Sequence, residues 1–258
     1  MKRLTKRILA ILISAAILAG AGYAFYLSKN QKAAQSKESA PDLSKDQISE
    51  LETEHEEIKI ACIGDSITYG AGVTLTRDKD AYPVKLGKML GKKYTVFNYG
   101  ISGKTLMSQT ETPYRTTDFF EESQKLEPDI VLIMLGTNDS KAYNWIAGEY
   151  EKQLEEFVDL YKKLPSSPQV YLMTCCAAFG ANENDVVAFH VNRAVIAEEV
   201  TPIIRRTAEK CNVPLIDIYS ATKDHPEYFA DGVHPNAEGN EVIARTVYEA
   251  LTLDRKEP

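Results

Sequence analysis

The sequence predicts a three-layer α/β/α sandwich built on a five-stranded parallel sheet. Three observations carry that prediction. Five apolar runs of strand length alternate with amphipathic segments of helical length between residues 56 and 258. None of the runs alternates strictly with polar residues, so each suits a strand covered on both faces. The segments between them are long enough for right-handed crossovers joining parallel strands.

In chain order the runs are 58–63 (IKIACI), 94–98 (YTVFN), 130–135 (IVLIML), 170–174 (VYLMT) and 214–218 (PLIDI). The expected helices are 82–90, 114–125, 145–164, 191–210 and 236–251. Within 145–164, Trp145, Ala147, Tyr150, Leu154, Phe157, Val158 and Tyr161 recur mostly at helical spacing. Pro165 and Pro168 then bar continuation. About 200 residues suffice for one domain with a substantial core.

The rest of the chain is of a different kind. Residues 1–55 carry +2 and residues 56–258 carry −9, within a total of −7. Lys2, Arg3, Lys6 and Arg7 precede an uncharged run over residues 8–27. Twenty helical residues cover roughly 30 Å, the thickness of a bilayer core. Residues 1–27 are therefore expected to anchor the chain in a cell membrane, N-terminus inside and domain outside. Ala19-Gly20-Ala21 keeps the alternative of a cleaved signal peptide and secretion. Residues 28–55 are polar and charged, and read as a flexible linker with a coil reach of roughly 30 Å. An acidic domain without a basic face argues against a nucleic-acid partner. The four cysteines, Cys62, Cys175, Cys176 and Cys211, have neither zinc spacing nor the look of a disulfide framework. They are expected to be buried free thiols.

In open parallel sheets the functional loops lie at the carboxyl ends of strands. Four segments stand there or before the last helix: GDSITYG (64–70), NYGISGKT (98–105), GTND (136–139) and DGVHPN (231–236). Ser66, at a strand-to-helix turn, is either a helix N-cap or a hydroxyl pointing out of the sheet edge. Of four histidines only His234 has an aspartate three residues earlier across a glycine-containing loop. Asp231 can orient one imidazole nitrogen while the other faces a hydroxyl, or it can simply stabilise a turn. Acyl chemistry also needs donors for a developing oxyanion. The Ser66 and Gly103 amides and the Asn138 side chain come from three strand ends that should meet, though Gly103 and Asn138 are also ordinary turn residues.

Together the four segments resemble the blocks of the SGNH (GDSL) hydrolases, in order and at suitable spacing, over residues 58–251. No block residue departs from the pattern. The resemblance implies a strand order of 2-1-3-4-5, with Ser66 as nucleophile and Asp231 and His234 completing a triad. It implies Ser66, Gly103 and Asn138 as oxyanion donors, and no metal or organic cofactor. Tyr82-Pro83, the GTNDSK run and Asn144-Trp145 are similar to the branch holding sialate O-acetylesterase-like and other carbohydrate esterases. Trp145, the single tryptophan, is either a wall for a sugar ring or packing at a helix start. Residues 177–190 are expected to shape the pocket. The implied activity is removal of small acyl groups, acetyl foremost, from a small-molecule or polysaccharide ester. The alternatives are a lysophospholipase or thioesterase, a cell-wall O-acetyltransferase, and a carbohydrate-binding protein without turnover.

Overall fold

The computed structural model describes residues 57–253. The expected anchor (1–27) and linker (28–55) lie outside the described residues. Among those described, no helix is long and apolar enough to cross a membrane.

The five expected strands form one sheet: β1 Ile58–Gly64, β2 Tyr94–Gly100, β3 Ile130–Met134, β4 Gln169–Met173 and β5 Leu215–Ile216. All pairings are parallel, in the order β2-β1-β3-β4-β5. The alternation of the strands divides the core in two. Ala61, Ile63, Val131, Ile133, Val170 and Leu172 pack into one cluster, and Ile60, Cys62, Ile130, Leu132, Tyr171 and Met173 into the other. A strand's successive side chains point to opposite faces, so both faces must be covered.

Helices supply the covers. On the second face lie α2 (Tyr82–Leu90), through Tyr82 and Leu86, and α6 (Ala237–Leu253), through Ile243, Ala244, Val247 and Leu251. On the first lie α3 (Asp118–Lys125), α4 (Ala147–Lys162) and α5 (Thr201–Cys211). The four-residue α1 (Ser66–Tyr69) follows β1 directly. The three-layer sandwich is the one expected.

Three elements depart from the expected ones for local reasons. The segment 114–125 is split, because the Thr117 hydroxyl accepts the Phe120 amide and starts α3 afresh after a 3₁₀ turn at Tyr114–Thr116. The segment 191–210 begins at Arg193 on an Asn192 cap and widens into a π-helix at Ile196–Val200. Pro202 has no N–H to give and its ring crowds the carbonyl four residues back, so a widened turn just before it relieves both. The fifth strand stops at Ile216, since Asp217 accepts the Ser220 amide and caps a helix at Ile218–Thr222.

Register positions the site. Gly64 of β1 pairs with Gly100 of β2 and Met134 of β3, so three strands end at one level. Two buried tyrosines hold those ends. Tyr114 donates to the Tyr99 carbonyl at 2.6 Å, and Tyr150 to the Leu135 carbonyl at 2.7 Å. All four cysteines are free, and Cys62, Cys175 and Cys176 are buried.

Candidate active site

The turn after β1 resolves the two readings of Ser66. Asp65, not Ser66, is the N-cap of α1: its Oδ1 accepts the Ile67 amide at 2.9 Å. The Ser66 hydroxyl is left free for another partner. That partner is His234, whose Nε2 lies 2.9 Å from Ser66 Oγ.

The loop before α6 is built around Asp231. One carboxylate oxygen accepts the backbone amides of Val233 (2.9 Å) and His234 (2.7 Å). The other lies 2.7 Å from His234 Nδ1. Partial burial pushes the Asp231 carboxyl up, but the His234 amide, the His234 ring and the Val233 amide outweigh it and hold it below the usual carboxylate range. With an anion at Nδ1, the ring carries its proton there and presents a lone pair to Ser66. A relay of this geometry can take a proton from Ser66 as the hydroxyl attacks, and return one to a leaving group.

The donors converge on the same cavity. A pocket of about 200 Å³ is lined by Ser66, Gly103, Asn138 and His234, with Phe189, Val191 and Val233 as its apolar wall. Among the described residues neither the Ser66 nor the Gly103 amide donates to a protein acceptor. Gly103 has φ +79°, a left-handed conformation that turns its N–H and suits glycine. Asn138 Nδ2 donates to the Lys104 carbonyl at 3.1 Å and lies 3.5 Å from Asp65 Oδ2. The longer contact is weak, so the second N–H of this amide is left available to an oxyanion while the first holds the side chain in place.

A buried carboxylate pair underlies the donors. Asp139 accepts the Leu106 and Met107 amides at 3.0 and 2.9 Å, tying the loop after β2 to the loop after β3. Burial raises the Asp139 carboxyl to about 7, against those two amides, with Asp65 nearby raising it further. Burial raises Asp65 to about 6, against the Ile67 amide and the Thr137 hydroxyl. Lys141, at the cavity wall, is lowered by burial and held up by both aspartates.

Phe189 is the site residue that sequence reasoning did not single out. Its ring centroid lies 4.9 Å from that of His234, edge to face, and the side chain is 54% exposed. Phe189 and His190 have φ of +58° and +62°. The Val191 amide bonds back to the Ala188 carbonyl, so the pair occupies the centre of a turn of type I′ character. Such turns ordinarily take Asn-Gly, and two non-glycine residues there cost about 1–3 kcal/mol each. A clamp maintains the conformation: Val187 donates to Val191, and Arg193 pairs with Asp185 at 2.9 Å. Trp145 lies elsewhere. Its indole donates to Glu199 at 2.8 Å and rests on Tyr150, and it does not line the cavity.

A second depression of about 750 Å³ runs beside the open edge at β2, lined by Tyr69, Ile101, Ser102, Asp118, Phe119 and Glu122. Ser102 lines both cavities, so the two are neighbours across that residue. Tyr69 is held from behind by the Arg77 guanidinium, 4.0 Å from its ring centroid.

A parallel α/β/α sheet that brings a serine, a histidine and an aspartate to one edge defines a hydrolase-like class of site. The model of the GDSL-like lipase/acylhydrolase family matches residues 62–242, and the chain belongs to that family. An acetylxylan esterase of Xylanibacter ruminicola is 32% identical over 213 residues, covering 75% of this chain and 43% of that protein. A multidomain esterase of Ruminococcus flavefaciens is 29% identical over 232 residues, covering 75% and 28%. The chain thus spans less than half the length of these curated relatives. A carbohydrate acetylesterase family member from Sinorhizobium meliloti has the same fold, with a TM-score of 0.62 at 21% identity over 76% of this chain and 98% of that one. An acetyl xylan esterase, AlAXEase, gives 0.58 at 25% identity over 75% and 100%.

Proposed function

We propose that the domain is a serine esterase that removes acetyl groups from a neutral carbohydrate through an acyl-enzyme on Ser66. The observation that carries the reading is the Asp231–His234–Ser66 chain, at 2.7 and 2.9 Å, opening into a cavity that Gly103 and Asn138 also line. His234 Nε2 takes the Ser66 proton as Oγ bonds to the ester carbonyl carbon. The oxyanion is held by the Ser66 and Gly103 amides and the Asn138 side chain. The bond to the sugar oxygen breaks, and His234 gives that oxygen its proton. Water then attacks the acyl carbon with His234 as base, releasing acetate and restoring Ser66.

Size and charge support the substrate. A cavity of about 200 Å³ is below the roughly 300–1,000 Å³ of sites that enclose a whole ligand, so it suits a short acyl group. The adjoining 750 Å³ depression, with aromatic rings, hydroxyls and the carboxylates of Asp118 and Glu122, suits the further units of an uncharged sugar chain, beyond the ester-bearing ring at the mouth of the small cavity. The acetylxylan esterase relative points the same way. The basic residues before the uncharged run at 8–27 support the further proposal that this domain is held outside a membrane.

The test is hydrolysis of acetylated xylan and of p-nitrophenyl esters from C2 to C12. The reading expects acetate release from the polymer, a rate falling steeply beyond C4, and loss of both with Ser66→Ala. A rate that rises toward C12 would place the chain among long-chain acyl hydrolases instead. Acetyl transfer to an added glycan in preference to water would make it a transferase.

A further inference from the structure

Phe189 is an unusual residue to find where it is. Its turn would relax with glycine, and its large apolar ring is more than half exposed. A clamp of backbone bonds and an ion pair nevertheless holds the ring against His234. Strain of this sort, maintained beside a reactive group, asks for a use.

The position of the ring suggests which part of a substrate meets it. The oxyanion donors Gly103 and Asn138 fix where the carbonyl oxygen must sit. The leaving oxygen must instead lie next to His234 Nε2, because that atom supplies its proton. Phe189 lies edge to face against the His234 ring. Phe189 packs on the ring that protonates the leaving oxygen and is itself exposed, so the group carried by that oxygen comes within its reach. An exposed aromatic ring offers a flat apolar surface of the kind that the C–H face of a pyranose covers, and its exposure leaves room for one.

We propose that Phe189 is the specificity-determining residue that receives the sugar ring bearing the ester, with the strained turn at 189–190 serving to hold it at His234. The proposal rests on the esterase reading above and assigns to Phe189 a platform role that was one of two readings of Trp145 in the sequence.

Three variants test it: Phe189→Ala, Phe189→Gly and Phe189→Tyr. Alanine and glycine both delete the ring, and only glycine also relaxes the backbone. The readouts are melting temperature and kcat/KM on an acetylated xylo-oligosaccharide and on ethyl acetate, whose leaving group has no ring. Glycine should melt a few degrees above alanine. In both, the ratio of sugar-ester to ethyl acetate kcat/KM should fall by about three- to tenfold, and tyrosine should restore it. An unchanged ratio in the alanine and glycine variants would overturn the proposal, as would parallel losses on both esters. A wild-type chain that hydrolyses ethyl acetate and not the sugar ester would instead refute the carbohydrate reading itself.

Discussion

Replacing Asp231 by asparagine changes one atom and reverses one hydrogen bond. In the wild type the carboxylate accepts three N–H groups, two from the backbone of its own loop and one from His234 Nδ1. Asparagine can keep the two backbone bonds with its carbonyl oxygen. Its NH₂ then faces Nδ1 and donates, which drives the ring proton to Nε2. An Nε2–H cannot accept the Ser66 proton, so the relay stops while the loop survives. For a fully buried triad such a swap costs roughly 10⁴ in kcat. The Asp231 side chain is 40% exposed, so water can partly take its place at Nδ1. The expected loss in kcat/KM is therefore smaller, about 10³-fold, or ~4 kcal/mol of transition-state stabilisation. Stability should change by less than about 1 kcal/mol, because the backbone bonds remain. The assay pairs kcat/KM on p-nitrophenyl acetate with urea melts. Activity within tenfold of wild type would refute the orienting role, and a large loss of stability would show that the loop itself had failed.

Two other perturbations follow from the packing around the site. Gly232→Ala places a Cβ 2.3 Å from the Phe179 carbonyl oxygen at a residue with φ +81°, so it should displace the Asp231–His234 loop and cost about 2–4 kcal/mol in urea melts. Asp139 and Asp65 carry pKa values raised to about 7 and 6 by burial. Each binds more protons folded than unfolded, so the stability they contribute is complete below about pH 4 and is lost as pH rises through 6 to 7. Asp139→Asn cannot accept both the Leu106 and Met107 amides without turning an N–H toward one of them. It should be about 1–3 kcal/mol less stable at pH 5 and show a flatter decline between pH 5 and 8, and urea melts parallel to wild type would contradict this.

The sheet and the four motif loops were readable because their signals are local. Runs such as IVLIM can be strands covered on both faces, and the register that levels Gly64, Gly100 and Met134 brings the motif loops together. What escaped depends on contacts between distant segments. Phe189 sits in an apolar stretch with no glycine to announce a left-handed turn, and the clamp from Asp185 to Arg193 imposes that turn. The sequence left Trp145 open between a sugar wall and packing at a helix start, and the contact that holds its indole comes from Glu199, 54 residues later. The division of labour at Asp65 and Ser66 is likewise a matter of geometry, since either residue type caps helices. The helix expected over 191–210 gave no sign of the π turn at Ile196–Val200 that precedes Pro202, which only the packed structure shows.

The central claim is that Ser66 becomes acylated and that His234 drives the step. Rapid acid quench during turnover of p-nitrophenyl acetate, followed by digestion and peptide mass spectrometry, tests it directly. The account predicts an acetyl group on Ser66, an initial burst of p-nitrophenol, and neither in Ser66→Ala. An acetyl group on a different residue, or turnover by Ser66→Ala at the wild-type rate, would contradict it.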